Sequence, residues 1–381
     1  MPIKIGDQFD IYFATNRYME GSLDDPSFGE RCHKDGPNFY RVGIATVKKK
    51  STDLDEGYEV IKAVVKGEGA EIENGEDGIP DESKRGSDAL FADISQAIAH
   101  DQCDALAYIH GFANTFESSI SRAAQLHEHY RIGTDSSAKH PLVFAFCWPS
   151  NGEVFPPWEY HSDRDDAREA GPAMARTLLR FSDYVRRNGN PCTQRIHLVA
   201  HSMGNWALRH AVQALATMNL GNRLEPIFDN ALLMAADEDD DAFEKNYKLK
   251  PLLRLARRIH VYHSSDDLSL VLSDTTKFNP DRLGYDGPRD VSKINKRIVS
   301  VDCEHVDDTE FAHVNHQYYR RRPEVIADVR HVLAGKRPSS IPGREEIRSG
   351  RQYRIRPAKG KRASVLKKPK DPVRPRYHGP R

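Results

Sequence analysis

The sequence predicts an α/β protein in which a mostly parallel central sheet carries helices on both faces. Short apolar runs typical of buried strands recur along the chain, and stretches with apolar residues at helical spacing separate them. Strands that alternate with helices favour a parallel sheet covered on both sides. The length of 381 residues suits one large domain or two ordinary ones, and we assign residues 1–335 to one α/β domain.

Residues 1–100 are predicted to form N-terminal strands and loops. A helix is expected over 88–99, where apolar residues recur every four positions. The segments rich in glycine, aspartate or proline, which are expected to be loops, are 16–38 and 67–86. The predicted strands are 10–15, 40–47 and 58–65.

Residues 101–335 are predicted to form the catalytic core, in which strands and helices alternate. The expected strands are 105–109, 142–147, 195–200, 228–235, 258–263 and, as the last strand, 297–301. The expected helices are 118–130, 163–170, 172–187, 205–218 and 323–333.

The chain is organised around the segment from Arg195 to Met218. Ser202 lies where the apolar spacing changes from that of a strand to that of a helix. A serine on such a sharp turn is typical of a nucleophile elbow, which exposes the hydroxyl above the sheet at a helix N-terminus that favours negative charge. Small residues are needed two positions to either side, and Ala200 and Gly204 provide them, although glycine is usual at the first. The alternative is that Ser202 only caps an ordinary helix.

The partners of such a serine follow it along the chain, first an acid and then a histidine. Asp267 is the preferred acid and Asp237 is the alternative, because both follow predicted strands. His316 is the candidate base, since it lies after the last predicted strand and before the last predicted helix. His305 and His313 compete with it on the same loop.

An oxyanion hole needs two backbone donors. The elbow supplies one candidate, the N–H of Met203, and the loop after strand 105–109 supplies the other, the N–H of Phe112. Gly111 would allow the backbone to turn sharply there, although a plain turn is the alternative. Residues near the predicted site could form an apolar acyl pocket or lid, or could simply pack the loops down. They are His110, Gly111, Trp148, Pro156, Pro157, Trp158 and Tyr160.

A set of motifs along the chain carries a family resemblance. The motifs are FATNR (13–17), YIHGFANTFE (108–117), FCWPSNG (146–152), Tyr160 with Asp163, LVAHSMGN (198–205), LLMAADEDDDAF (232–243), VYHSSDDLSL (261–270), RLG (282–284) and NHQYY (315–319). In this order they resemble a bacterial family of esterase- and lipase-like α/β hydrolases of uncharacterised function. The resemblance implies an α/β-hydrolase fold, with Ser202 as nucleophile, Asp267 as acid and His316 as base. Ala236 departs from the family pattern, in which a proline precedes the position of Asp237.

The charge is divided between an acidic body and a basic tail. The net charge is zero, but residues 336–381 contain 16 Lys and Arg and 3 Asp and Glu, a balance of +13. This tail has almost no apolar pattern, so we expect it to be disordered, because it cannot bury enough surface to offset the entropy lost on ordering. Its charge would suit an anionic partner such as a nucleic acid or a membrane surface.

Composition excludes several other classes. No apolar run approaches the roughly 18 residues of a transmembrane helix, and the N-terminus lacks the pattern of a signal peptide. The 5 cysteines are scattered, which fits reduced thiols in a cytoplasmic protein. The expected chemistry needs no metal and no organic cofactor.

Two functions follow from these features. The first is a serine hydrolase that cleaves a small-molecule carboxylic ester, or a related acyl bond, through a Ser-His-Asp triad and an acyl-enzyme intermediate. The second is a catalytically silent protein of the same fold that docks to an anionic partner through residues 336–381. A complete set of Ser, Asp and His favours the first.

Overall fold

The computed structural model describes residues 2–68, 86–133, 137–154, 158–186, 194–218, 226–267, 269–270, 281–306, 315–348 and 350–357, with the backbone alone at 185–186. The strands are β1 Gln8–Thr15, β2 Arg17–Gly21, β3 Pro26–Cys32, β4 Arg41–Lys49, β5 Tyr58–Val65, β6 Ala105–Ile109, β7 Leu142–Cys147, β8 Ile196–His201, β9 Phe228–Met234, β10 Ala256–His263, β11 Ile298–Asp302, β12 Arg344–Arg348 and β13 Gln352–Ile355. The helices are α1 Gly86–Asp101, α2 Phe116–His129, α3 Trp158–Glu169, α4 Gly171–Arg186, α5 Gly204–Met218, α6 Leu252–Leu255, α7 Leu283–Asp286, α8 Tyr318–Arg321 and α9 Pro323–Leu333.

Within the described residues, eleven strands form one sheet, in the order β12-β13-β11-β10-β9-β8-β6-β7-β1-β4-β5. The strands from β13 to β1 in this order are all parallel to their neighbours. Strands β4, β5 and β12 are antiparallel and lie toward the two edges. This arrangement confirms the predicted α/β class with a mostly parallel sheet.

Helices cover both faces of the sheet because the side chains of its central strands alternate between two apolar cores. In β6, Ala105, Ala107 and Ile109 pack into one core with residues of α1, α4 and α5. Leu106 and Tyr108 pack into the other core, with residues of α2 and α9. A strand that is buried on both faces must be apolar at every position, which explains the continuous apolar runs in the sequence.

The loops that carry the predicted site residues leave the carboxyl ends of four neighbouring strands. His110 follows β6, Ser202 follows β8, Asp237 follows β9 and Asp267 comes four residues after β10. These strands are adjacent and parallel, so their carboxyl ends meet at one edge of the sheet, which is where ligands bind in open α/β folds.

The prediction of a loop over residues 16–38 is wrong in part, because β2 and β3 form a separate two-stranded sheet there. Phe28 holds this hairpin on the body, with its ring centroid 5.7 Å from that of Phe13 and 4.2 Å from that of Phe116. The hairpin has little apolar alternation of its own, so local patterning did not reveal it.

The prediction of disorder from residue 336 onward is wrong for 336–357, and 297–301 is not the last strand. Strands β12 and β13 extend the sheet beyond β11 and bury the side chains of Tyr353 and Ile355. The guanidinium of Arg344 contacts the carboxylate of the buried Asp328, with Nε–Oδ2 at 2.6 Å. Part of the basic charge of this segment is therefore neutralised inside the fold. Residues 358–381 of the predicted tail lie outside the described residues.

None of the helices in the described part of the chain combines the length and the apolar character needed to cross a membrane.

Candidate active site

Ser202 occupies a strained turn between β8 and α5. Its φ of 51° lies in the left-handed region, which a non-glycine residue adopts only where the surroundings enforce it. The N–H of Ser202 donates to the carbonyl of Met234 at 2.9 Å, and the side-chain amide of Asn205 donates to the carbonyls of Ala200 and Ser202, each at 3.1 Å. A Cβ on Gly204 would lie 2.4 Å from the carbonyl oxygen of His110, so a larger residue cannot occupy this position. These features are those of the predicted elbow.

Asp267 contacts the candidate histidine. Its Oδ2 lies 2.7 Å from Nδ1 of His316. The carboxylate is fully buried, whereas 12% of the His316 side chain is exposed. A tight turn after β10 fixes the acid, because the N–H of Asp267 donates to the carbonyl of Ser264 and the N–H of Leu270 donates to its carboxylate.

His316 lies beside the elbow. Its ring centroid is 4.8 Å from that of His201, the residue that precedes Ser202, and Nε2 of His201 lies 3.1 Å from the carbonyl oxygen of His316. On its other side, the amide of Asn315 donates to the hydroxyl of Ser264 at 2.9 Å. The histidine segment is thus attached to the ends of both β8 and β10.

The loop after β6 passes directly over Ser202. A Cβ on Gly111 would come within 2.9 Å of Cβ of Ser202, so the absence of a side chain at this glycine allows the loop to lie close to Ser202. The next residue, Phe112, carries one of the two predicted oxyanion donors. The other belongs to Met203, which immediately precedes α5, so its amide lies at the helix N-terminus, where amides have no acceptor within the helix.

Three buried side chains to which the sequence analysis assigned no role hold this loop in place. The guanidinium of Arg17 donates to the carbonyls of Asn114 at 2.7 Å and Ser150 at 3.1 Å. The hydroxyl of Ser150 donates to the carboxylate of Asp163, which also accepts from the N–H of Ala113 at 3.4 Å. Burial raises the pKa of Asp163, and these hydrogen bonds oppose that rise. The FATNR and WPSN motifs marked two of these residues in the sequence, but the motifs alone did not reveal that the residues hold the loop.

His110 and Trp148 support the loop from beneath. Both are fully buried, and their rings stack at 4.8 Å with an interplanar angle of 5°. The indole N–H of Trp148 donates to the carbonyl of His110 at 2.8 Å. Burial lowers the pKa of His110 well below its ordinary value, so the imidazole is neutral. These contacts are those of packing residues rather than of an open pocket wall.

Asp237 has different partners from Asp267. Its carboxylate accepts from the hydroxyl of Tyr160 and lies 3.5 Å from the guanidinium of Arg282. Burial, followed by the charge of Asp237, raises the pKa of Tyr160, so its hydroxyl keeps its proton and donates. The ring of Tyr160 meets that of Phe112 edge-on at 5.6 Å. Tyr160 and Phe112 are both half-buried, and they form an aromatic pair beside the elbow.

The acidic run after β9 is neutralised by cations of the chain itself. Arg209 lies 3.4 Å from Glu238, and Arg282 lies 3.4 Å from Asp239. Lys248 contacts Asp239 and Asp241, and Arg289 contacts Asp240 and Asp241. The carboxylates of this run are therefore held in ion pairs with other parts of the fold.

The remaining candidates lie elsewhere or outside the described residues. His305 contacts Arg354 of β13, with nitrogen atoms 3.2 Å apart. Trp158, at the start of α3, is 67% exposed and could contact a substrate only from outside the packed loops. His313, Pro156 and Pro157 lie outside the described part of the chain.

One group of potential metal ligands occurs among the described residues. Ligand atoms of Cys32, Asp166 and Glu169 lie within 4.8 Å of one another. Burial and the neighbouring carboxylates raise the pKa of the Cys32 thiol to about 12. Because a metal binds the thiolate, binding here would have to displace the thiol proton.

Comparison with known proteins gives the following. An uncharacterized protein from Nostoc sp. PCC 7120, alr1448, is 33% identical over 86 residues, which are 22% of this chain and 20% of the relative, so the chain matches about a fifth of that protein's length. Among solved structures, a protein described as a YdeN-like hydrolase from Pectobacterium atrosepticum is 13% identical with a TM-score of 0.21, covering 62% of this chain and 98% of the other. Phospholipase PlaB from Legionella pneumophila is 11% identical with a TM-score of 0.20, covering 56% and 42%. TM-scores this low support no statement about the chemistry of this chain.

A family model gives a much more extensive match. It spans residues 87–337, about two thirds of the chain, and includes the elbow, both candidate acids and His316. The chain therefore belongs to the family of alpha/beta hydrolases of unknown function (DUF900).

Proposed function

We propose that this hydrolase cleaves a carboxylic ester, or a closely related acyl bond, through Ser202, His316 and Asp267. The observation that carries the proposal is the 2.7 Å contact between Asp267 and His316, on a segment attached to the residue before Ser202. A buried carboxylate bonded to one ring nitrogen fixes the tautomer of a histidine and stabilises its protonated form.

The proton inventory of the site follows from that contact. Asp267 accepts from the Nδ1–H of His316, so the Nε2 of the neutral ring carries a lone pair. In the proposed first step, Ser202 Oγ attacks the substrate carbonyl carbon while Nε2 takes the hydroxyl proton. His316 then returns this proton to the departing alcohol, and a water molecule activated by the same nitrogen releases the acyl group from Ser202.

The backbone amides of Phe112 and Met203 are proposed to bind the oxyanion. Support comes from the approach of Gly111 to Ser202 and from the position of Met203 at the N-terminus of α5, where amides and helix dipole favour negative charge. The hydrogen bonds of Arg17 and Asp163 hold the first donor loop before substrate arrives. Preset donors of this kind contribute more to catalysis than donors that must reorient.

The aromatic pair Phe112 and Tyr160 is proposed to contact the acyl or alcohol part of the substrate. The pair is half-buried beside the elbow, and the Tyr160 hydroxyl is already engaged with Asp237, so it presents ring surface rather than a free polar group. This chemistry favours an uncharged substrate with apolar surface.

The test is turnover of p-nitrophenyl acetate and butyrate, together with labelling by a fluorophosphonate probe. Wild-type protein should react in both assays, whereas Ser202→Ala should react in neither of them. Ser119→Ala, which changes a buried serine on α2, is the matched control and should keep both activities. If wild-type protein reacts with neither reagent, or if Ser202→Ala remains active, the proposal fails.

A further inference from the structure

We infer that His201 is a positioning residue that holds the backbone of His316 beside Ser202 through a hydrogen bond from its Nε2–H. This inference rests on the proposed function, because it concerns how the proposed base is kept in place. His201 is the residue immediately before the nucleophile, so the elbow and the base segment are joined by a single side chain.

The hydrogen bond fixes the tautomer of His201. Nε2 lies 3.1 Å from the carbonyl oxygen of His316, and a carbonyl can only accept, so Nε2 carries the proton. Nδ1 then carries the lone pair, and it has no hydrogen-bond partner among the described residues. A Cβ on Gly111 would lie 3.0 Å from this nitrogen, so the loop that carries the proposed oxyanion donor covers it.

The ring of His201 also contacts the base segment a second time. It stacks on the ring of Tyr319 with centroids 4.5 Å apart and an interplanar angle of 28°. Tyr319 in turn reaches the hydroxyl of Tyr108 on β6 at 3.2 Å. His201 is therefore held between the oxyanion loop and the segment of His316, and a shift of either one would be transmitted to the other.

His201 must stay neutral to do this. Burial lowers its pKa well below the ordinary value, and the neighbouring His316, Arg122 and Arg320 lower it further. The proposed mechanism places a positive charge on His316 after it accepts the serine proton. If His201 is neutral, Asp267 can stabilise the positive charge on His316 without opposition. A second imidazolium with its ring centroid 4.8 Å away would repel that charge.

The test compares two substitutions in the full-length protein. His201→Leu removes the donor and keeps the bulk, whereas His201→Gln keeps an N–H donor near the position of Nε2. We expect His201→Leu to lower kcat by about 10- to 100-fold with little change in KM, and to shift the pH profile of kcat/KM, because a misplaced base is costly. His201→Gln should recover most of the rate. His197→Leu, a second fully buried histidine on β8, is the control, and its kcat should stay at the wild-type level.

A measurement that needs no turnover separates this inference from the proposed function. The imidazole N–H shared by His316 and Asp267 should give a downfield proton resonance in wild type and His201→Gln that is lost or broadened in His201→Leu. Wild-type protein that turns over esters, together with His201→Leu that matches it in rate and pH profile, would overturn the inference alone. A resonance that persists unchanged in His201→Leu would also overturn it, even in a protein inactive on esters.

Discussion

Replacement of Arg17 tests whether an interaction at the N-terminal end of the chain determines the geometry of the candidate site. The side chain is 1% exposed and donates to three backbone carbonyls, those of Gly29, Asn114 and Ser150, at 2.7 to 3.1 Å. Arg17→Met keeps most of the volume and removes all five N–H donors. Arg17→Lys keeps the charge but cannot span the three acceptors, since an ammonium is compact and lacks the planar fork.

The expected magnitude follows from these contacts. A hydrogen bond to a charged group contributes about 1.5–3 kcal/mol, and three are lost in Arg17→Met. The lost desolvation cost of the guanidinium offsets part of this, because burial lowers the pKa of Arg17 and therefore disfavours its charged form. We expect the free energy of unfolding to fall by about 3–5 kcal/mol in Arg17→Met and by less in Arg17→Lys. Displacement of the loop that carries Phe112 should also lower kcat by about 100-fold.

Urea unfolding followed by tryptophan fluorescence measures the first effect, and p-nitrophenyl butyrate turnover measures the second. Arg257→Met is the matched control, because this arginine side chain is 65% exposed and its ion pair with Asp229 is long at 3.6 Å. Its unfolding free energy should change by about 0.5 kcal/mol or less. If Arg17→Met is as stable as Arg257→Met and keeps its kcat, Arg17 does not hold the loops together.

Three further predictions concern the acids and the C-terminal strands. Asp267→Asn should lower kcat by about 10³- to 10⁴-fold, because the amide would favour the wrong tautomer of His316. Asp237→Asn should keep its activity within roughly tenfold of wild type but lose stability. Equal losses of kcat in the two variants would contradict the assignment of Asp267 as the acid. Burial raises the pKa of Glu238 to about 7 from 4.5, so between these pH values the folded protein binds a proton that the unfolded chain has lost. The stabilisation that results is fully present below pH 4.5, and the free energy of unfolding falls by roughly 3 kcal/mol as the pH rises to 7. Glu238→Gln should flatten that slope in urea unfolding from pH 4.5 to 8, and an unchanged slope would exclude this carboxyl as its source. Tyr353→Ala should lower the free energy of unfolding by about 3 kcal/mol, because this side chain is buried. Ile347→Ala on β12 is the control and should have little effect, because its side chain is 44% exposed. Similar shifts of the melting temperature in the two variants would mean that β13 is not packed as described.

The parts of the fold that the sequence predicted are those determined by local periodicity. Strands 58–65, 105–109 and 142–147 and helix 323–333 have the predicted bounds. Strands 105–109 and 142–147 are apolar and buried at every position, and the apolar residues of helix 323–333 pack into one core, so local pattern and burial coincide. The short strands β12 and β13 were missed, since most of their residues are charged and only a few side chains enter the core. Their partners lie on β11 and α9, which no local pattern can reveal.

In the candidate site, too, the features set by local sequence were predicted and those set by distant contacts were not. The elbow at Ser202 was evident because the strand-to-helix change occurs within a few residues. The role of Arg17 was not, since the two acceptors that it bonds in the site loops are 97 and 133 positions away along the chain. The ion pairs of the acidic run 237–241 were not evident either, because its cations come from α5, from Lys248 and from the segment 282–289. Composition counts the charges of a segment, whereas only the fold determines which opposite charges meet them.

The relative position of Ser202 and Asp267 follows from strand register rather than from loop conformation. Met234 of β9 is level with His201 of β8 on one side and with Tyr262 of β10 on the other. Ser202, the first residue after β8, and His263, the last residue of β10, are therefore at the same height two strands apart, and the tight turn that ends at Asp267 needs to span only that gap. The base segment then bonds to both strand ends, through His201 on one and Asp267 on the other. A change in sheet register would separate Ser202, Asp267 and His316 at once, whereas a change in a surrounding loop can alter which substrate fits without moving these three residues.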